Sequence, residues 1–427
     1  MTISPDPDQV AVGSVSTSTR EHGVASGREF VILITALIAT GALAIDVMLP
    51  AFPEMREEFG MAPNSTQVAW VITAFFLGMA VGPWLYGPIS DRYGRRTPLR
   101  VGLILYISAG VLASVSGTWT MLVIARFLWG LAAASPRSLA TAIIRDRYEG
   151  SEMARLMSMI MAVFLLVPVI APSIGAVLIA LFPWRTVFWF PTVVGFLLLL
   201  WVRRLPETLR PENQRALTFS GVWTAGKEVV SHRQTMTFTI AITFLFGVMM
   251  TYLAGSEVIV EDVYGYGTYF PFFFGAIAIL LAINSFNNGR LVQRFGISQF
   301  VRRLAVISIF TSTAFVLVSF LNDGKPNFWI FTISLAAVIP IAQGLAPICN
   351  TAAMLPVPHV AGTASALIAT ITTAGGALLG NMASAQFNGT VQPFAILILV
   401  FILLASLMIF WGSARYDDYQ RHAETPI

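Results

Sequence analysis

Four charged residues stand inside otherwise apolar runs, at Asp46, Arg126, Arg137 and Glu257. A carboxylate in hydrocarbon costs ~2.5–3.5 kcal/mol on insertion scales, so Asp46 is expected to face a cavity or a partner. Desolvation penalises its charged form and brings proton exchange within the physiological range. That makes Asp46 a candidate proton carrier; otherwise it is a structural acid held permanently by a base. Arg126 is the natural base. Asp46 lies about six residues before the end of its run and Arg126 about six after the start of its own, so both sit roughly 9 Å below one membrane surface. A cation beside the acid favours the ionised form, and shifting that balance would couple protonation to shape. The alternative for Arg126 is a packing arginine satisfied by backbone carbonyls. Arg137 follows Arg126 by eleven positions and returns to within about 20° of the same helix face. It suits a carboxylate-bearing solute, or it snorkels to the interface. Glu257 falls where Asp46 falls if the two strings Asp46-Val47-Met48 and Glu257-Val258-Ile259 are overlaid. It is then a second titrating acid, or the start of a solvated loop with Glu261 and Asp262.

Other side chains could wall a ligand site. Phe75, Phe76, Trp129, Phe164 and Tyr252 could supply aromatic surface, although aromatic residues are frequent throughout this chain and also suit lipid-facing or core positions. Asn284, Gln343, Asn350 and Asn381 could line a polar cavity or tie helices together. Pro168, Pro172 and Gly175 would bend their helix and permit close backbone contact, and Gly375, Gly376 and Gly380 would do the same late in the chain. Met153, Met157 and Met161 share a helical face, but no histidine joins them within an apolar run, and no metal is expected. His22, His232, His359 and His422 all lie in tails or loops. No nucleophile–base pair and no phosphate-cradling glycine loop is present, so neither an enzyme nor an ATP-driven pump is expected, and no cofactor.

The elements that must position these residues are membrane helices. Of the 427 residues 56% are hydrophobic and 11% charged, against roughly 25% charged in a soluble domain. Twelve apolar segments are expected, at about 29–52, 66–86, 98–117, 119–145, 153–182, 184–203, 235–258, 268–290, 299–321, 327–354, 360–387 and 391–413. With the N-terminus inside, nearly every Lys and Arg falls in a cytoplasmic tail or loop; Arg56, Arg185 and Lys325 fall outside. The net charge of +4 therefore reports topology, and no nucleic-acid partner is expected. Residues 1–28 read as a disordered cytoplasmic tail, 29–203 as a first six-helix bundle, 204–234 as a cytoplasmic linker, 235–413 as a second six-helix bundle and 414–427 as a cytoplasmic tail. Leu217 to Val230 in the linker could form a helix on the membrane surface. The lone cysteine, Cys349, excludes an intrachain disulfide.

Between the second and third segments lies Gly87-Pro88-Ile89-Ser90-Asp91-Arg92-Tyr93-Gly94-Arg95-Arg96, a charged hairpin at the bilayer face. Gly87 and Gly94 allow a sharp turn, Asp91 can pair with an arginine or a helix N-terminus, and Arg92, Arg95 and Arg96 hold the loop inside. Gly289 to Gly296 repeats it weakly, with Gln293 where Asp91 stands. Such internal repeats imply two bundles rocking about a central site. The hairpin resembles the signature loop of the major facilitator superfamily. The string Asp46-Val47-Met48-Leu49-Pro50-Ala51-Phe52-Pro53, Arg126-Phe127-Leu128 with Ile144-Arg145-Asp146, and Pro168 to Gly175 resemble the Bcr/CflA drug-resistance transporters, over about residues 30–412.

The resemblance implies a proton antiporter in a bacterial inner membrane, expelling small amphipathic antibacterial compounds. It makes Asp46 the acid linked to protons and solute, Arg126 its neighbour, and Asp91 the latch of an inner gate. Trp129, where the family often has glutamine, together with Arg137 and Glu257, departs from its pattern. These departures leave room for a dedicated exporter or proton symporter of an anionic or zwitterionic metabolite. A non-transporting receptor is the rival from another class. The expected partners are a small organic solute, protons and the lipid bilayer, with the chain a monomer.

Overall fold

A computed structural model describes residues 28–164, 166–209, 212 and 219–423. They form fifteen α-helices, with no strand among the described residues: α1 Arg28–Asp46, α2 Phe52–Glu58, α3 Trp70–Tyr93, α4 Arg96–Ser114, α5 Trp119–Arg147, α6 Gly150–Phe164, α7 Val167–Leu181, α8 Thr186–Val202, α9 Phe219–Ser231, α10 Arg233–Val258, α11 Phe270–Phe295, α12 Ile297–Leu321, α13 Phe328–Met354, α14 Ala361–Ser384 and α15 Gln392–Ala423. Ten helical segments are long and apolar enough to cross a membrane. The fifth expected crossing is divided into α6 and α7 just before Pro168, and the sixth is the 17-residue α8.

The first crossing is also divided, contrary to the single span expected. Its first helix stops at Asp46; a turn and a short 3₁₀ segment, Leu49–Ala51, lead into α2. Proline explains the break. Pro50 lies four residues after Asp46 and has no N–H for the Asp46 carbonyl, and Pro53 repeats the omission for Leu49. Gly175 of α7 sits against the carbonyl of Val47, where any side chain would collide with it. The turn after Asp46 is thereby held from the side.

Within the first half α3 packs on α5, α4 on α5 and α8, and α1 on α5 to α8; in the second, α10 packs on α13, α14 and α15, and α12 on α13 and α15. The halves meet through α3 with α14 and α7 with α11. One buried cluster, running from Val47 and Phe75 to Phe274 and Phe394, is continuous across both halves. A second, including Phe30, Leu99, Ile143 and Val202, belongs to the first half alone, at the end where Arg96 and Arg147 lie. We call this the arginine-rich end.

The closest helix approach is set by glycine. A methyl group built on Gly130 of α5 would run into the carbonyl of Phe75 on α3. Overpacking a tight contact costs about 1–3 kcal/mol, and here backbone must move. Gly130→Leu is expected to cost at least ~3 kcal/mol, read as a lowered unfolding midpoint in detergent, whereas Gly117→Ala, with open space at its Cα, leaves the midpoint unchanged. Gly376 and Gly380 seat α14 on α10 in the same manner.

The linker helix α9 matches the expected surface segment. Val229 is buried against Val357 and Ala364, and Glu228 meets His359 at 2.6 Å. The N-terminal 27 residues expected as a tail lie outside the described residues.

Candidate functional site

A cavity of about 360 Å³ lies between the halves. It takes Asp46, Gly41 and Ile38 from α1, Phe76 and Met79 from α3, Arg137 from α5, Phe164 from α6 and Pro168 from α7. The second half supplies Tyr252 and Phe246 from α10, Asn284 and Asn288 from α11, and Gln343 and Pro347 from α13. Six expected lining residues therefore come together in addition to Asp46: Phe76, Arg137, Phe164, Tyr252, Asn284 and Gln343. Periodicity missed Asn288, which spends its amide on the Gly344 carbonyl at 3.1 Å. Its spacing of one helical turn from Asn284 was the available signal.

Asp46 is 5% exposed and its surroundings include the buried Tyr252 hydroxyl, close enough to feel the carboxylate charge and without a hydrogen-bond partner of its own. Among the described residues no cation pairs with Asp46. That corrects the expected Asp46–Arg126 couple. Arg126 is fully buried beside the cavity, outside its lining, and donates from Nε to the Val71 carbonyl and from a terminal nitrogen to the Ala44 carbonyl, each at 3.0 Å. Phe75 lies 4.5 Å and Trp129 5.3 Å from the guanidinium carbon. Both aromatics are fully buried and cover the arginine, so neither walls the cavity as expected. Arg126 thus packs as in the alternative reading, with two nitrogens bonded to carbonyls and the other terminal nitrogen buried without a partner among the described residues. It ties α1 and α3 to α5, gripping α1 two residues before its break.

Glu257 is a second correction. It faces neither the cavity nor solvent. At 4% exposure it accepts a forked pair of bonds from Arg56, itself 3% exposed, with one arm at 3.0 Å. Arg56 Nε donates to the Ser65 carbonyl at 2.9 Å. Arg56 lies in α2 and Glu257 at the end of α10, so the pair joins the two halves across the end opposite the arginine-rich one. Arg56 had counted as an outer-loop cation because loop and gate look alike in charge pattern. Thr73 and Asn381 add a weaker link between α3 and α14, at 3.4 Å.

At the arginine-rich end the signature hairpin is shorter than expected. The α3 helix continues through Gly87 to Tyr93, and the turn is confined to Gly94 and Arg95. Gly94 has φ of 85°, a region that favours glycine, and Gly296 after α11 has φ of 74°, so the repeat is preserved in backbone form. The Gln293 side chain lies outside the described residues. Arg95 reaches Asp91 at 2.6 Å, Asp146 at 2.8 Å and the Ser90 hydroxyl at 2.8 Å. Arg92 lies over the Tyr93 ring, and Arg96 donates to the Arg203 carbonyl. All these partners belong to the first half. Glu207, just after α8, accepts from the backbone N–H groups of Arg95, Arg96, Thr208 and Leu209 at 2.7–3.1 Å. Burial pushes its carboxylate up, but the four donors outweigh burial and hold it below the ordinary glutamate range.

A family model for the Major Facilitator Superfamily matches residues 32–380. The chain belongs to that superfamily. Similar superfamily proteins include a bicyclomycin resistance protein homolog of Haemophilus influenzae, 26% identical over 90% of this chain and 96% of that protein. An uncharacterized MFS-type transporter, YdgK, of Bacillus subtilis is 29% identical over 88% and 94%. The human organic anion transporter MFSD10 has a similar fold, with a TM-score of 0.67 and 18% identity over 90% of this chain and all of that one. The Bcr/CflA resemblance and an all-helical major facilitator fold are borne out, with ten membrane-length helical segments and the shorter apolar helices α7 and α8 among the described residues. This facilitator is a multi-pass membrane transporter of small solutes, not an enzyme.

Proposed function

We propose that this transporter is a proton-coupled antiporter that expels small amphipathic drugs or metabolites from a bacterial cytoplasm across the inner membrane, with Asp46 as the coupling carboxylate. One observation carries the proposal: Asp46 ends a broken helix, faces the central cavity and has no cationic partner among the described residues. Neutralising it takes a proton or a cationic part of the solute, and both can arrive only through the cavity. Discontinuous helices with a charged group at the break are the usual construction of coupling sites in secondary transporters.

The positive-inside bias puts the arginine-rich end and both termini in the cytoplasm. The cavity reaches toward that end through Arg137, Asn288 and Pro347, while Arg56–Glu257 bars the other. In that orientation the site is open inward. Solute enters, displaces the proton, and the halves rock until Arg56 and Glu257 part. Solute then leaves and an outside proton reloads Asp46. Asp91, tied to Arg95 within its own half here, is free to engage the second half only after rocking.

Proteoliposomes loaded with a panel of neutral, cationic, anionic and zwitterionic solutes, bicyclomycin included, test this under an imposed pH gradient. Transported solutes are expected to move against their gradient toward the more acidic compartment. Transport indifferent to the gradient overturns antiport, and binding without counterflow points to a receptor. A second reading, a dedicated metabolite transporter, is favoured by the cavity-facing Arg137.

A further inference from the structure

The cavity has two charged lining side chains, Asp46 and Arg137, and they do not meet. Arg137 is exposed to the cavity, and the one polar contact of its guanidinium among the described residues is a long approach to the Met79 sulfur, at 3.9 Å. A thioether neutralises nothing. The cavity thus holds a guanidinium whose charge no carboxylate among the described residues answers.

The neutral polar groups do not choose between the two charges. Asn284 donates one amide N–H to the Pro340 carbonyl at 2.6 Å and Gln343 one to the Leu245 carbonyl at 2.8 Å, and Asn288 is held likewise. Each amide keeps a second N–H and an accepting oxygen, so it can serve either end of a solute. Arg137 is the charged donor of the lining and Asp46 its charged acceptor. A full negative charge on a solute is answered at Arg137, and a full positive charge at Asp46.

The spacing is short enough for one small molecule. Arg137 reaches the Met79 sulfur, and that sulfur lies beside Gly41. From Gly41 to Asp46 is five residues, about 8 Å along a helix axis. That is too far for a direct ion pair and suited to a solute whose two charges lie a few ångströms apart.

We infer that the transported solute is a zwitterion of amino-acid type, its carboxylate held in the fork of Arg137 and its ammonium directed at Asp46. This deepens the antiport proposal and rests on the cavity being the transport site. The ammonium then competes with the proton for Asp46, and the carboxylate supplies the selection that a lone acid lacks. A guanidinium matches a carboxylate with two parallel N–H donors, which a lysine ammonium does not.

The test is binding to the full-length protein in detergent, by calorimetry. The probes are the apolar and aromatic amino acids, each as the free zwitterion, the methyl ester (cation only) and the N-acetyl acid (anion only). At least one zwitterion is expected to bind at least tenfold more tightly than its own ester and its own N-acetyl form. Arg137→Gln is expected to bring that zwitterion down to its ester and leave the ester's affinity unchanged. Arg137→Lys, which keeps the charge should the glutamine variant fail to fold, is expected to lose about tenfold for the zwitterion alone. Esters binding as well as zwitterions, an unchanged zwitterion affinity in the Arg137 variants, or no zwitterion binding at all overturns the inference. The antiport proposal fails separately: charge selection at Arg137 can persist where transport ignores a pH gradient, and coupling can persist where zwitterions are not preferred.

Discussion

Asp46→Asn is expected to abolish proton-driven accumulation while solute counterflow stays measurable at raised solute concentration, because the amide oxygen still accepts a hydrogen bond from the solute. A gradient of one pH unit supplies about 1.4 kcal/mol per proton, a tenfold accumulation for an uncharged solute exchanged one for one. The wild type should therefore gain roughly tenfold per unit per proton exchanged, and the asparagine variant should stay at equilibration whatever the gradient. Asparagine preserves the size of the side chain and its capacity to accept a hydrogen bond, so the cavity and the break at Pro50 survive. What it removes is the exchangeable proton. Arg126 does not change this expectation, because it donates to the carbonyls of Val71 and Ala44 and not to the acid. Measuring accumulation ratio against imposed gradient, with counterflow as the control for folding, separates loss of coupling from loss of transport. An asparagine variant that still accumulates solute in proportion to the gradient would remove Asp46 from the coupling step.

The Arg126 result illustrates what a sequence can and cannot locate. Counting residues from the ends of two spans fixed depth, and Arg126 does reach the carbonyl of Ala44, two residues from Asp46. Depth leaves rotation about each helix axis undetermined, and rotation decides whether an arginine meets a carboxylate or the backbone beside it. The same gap explains Phe75 and Trp129. Their types suit a ligand wall, yet both face the guanidinium. Arg137 was left open between a solute site and the interface, and its eleven-residue spacing from Arg126 did not decide, since Arg137 lines the cavity and Arg126 does not. The break at Asp46 went unread in an apolar run expected to be one span, although Pro50 stands at the position whose N–H the Asp46 carbonyl needs. The charge pattern yielded the spans, and the repeat of Gly94 at Gly296 was visible as a string before it was visible as two positive φ angles. Glu207 was not legible, because a carboxylate gathering four backbone donors from two loops leaves no local pattern.

Arg56 and Glu257 were opaque for a further reason: their partnership spans 201 residues and exists only when the two halves close at that end. That dependence gives the second large expectation. Breaking a buried ion pair by removing one partner costs about 3–5 kcal/mol, since the survivor keeps its desolvation penalty without its counter-charge. Glu54 and Glu261 lie near enough to act on Glu257 electrostatically, so loss of Arg56 also leaves like charges to push apart. The cost falls on the state in which the halves touch, because on separation the survivor regains water. Arg56→Gln should therefore shift the equilibrium toward opening at this end by a factor on the order of 10². Spin labels at the exposed Asn64 and Asn322, one on each half, should report a longer distance population in place of the short one. Arg56→Leu with Glu257→Leu removes both charges and should return most of the closed population, because two apolar side chains satisfy the seam as well as a paired ion does. The cycle distinguishes a latch from a packing site. If the double substitution opens the end as far as the single one, shape rather than charge holds the halves together there, and the pair is not the gate.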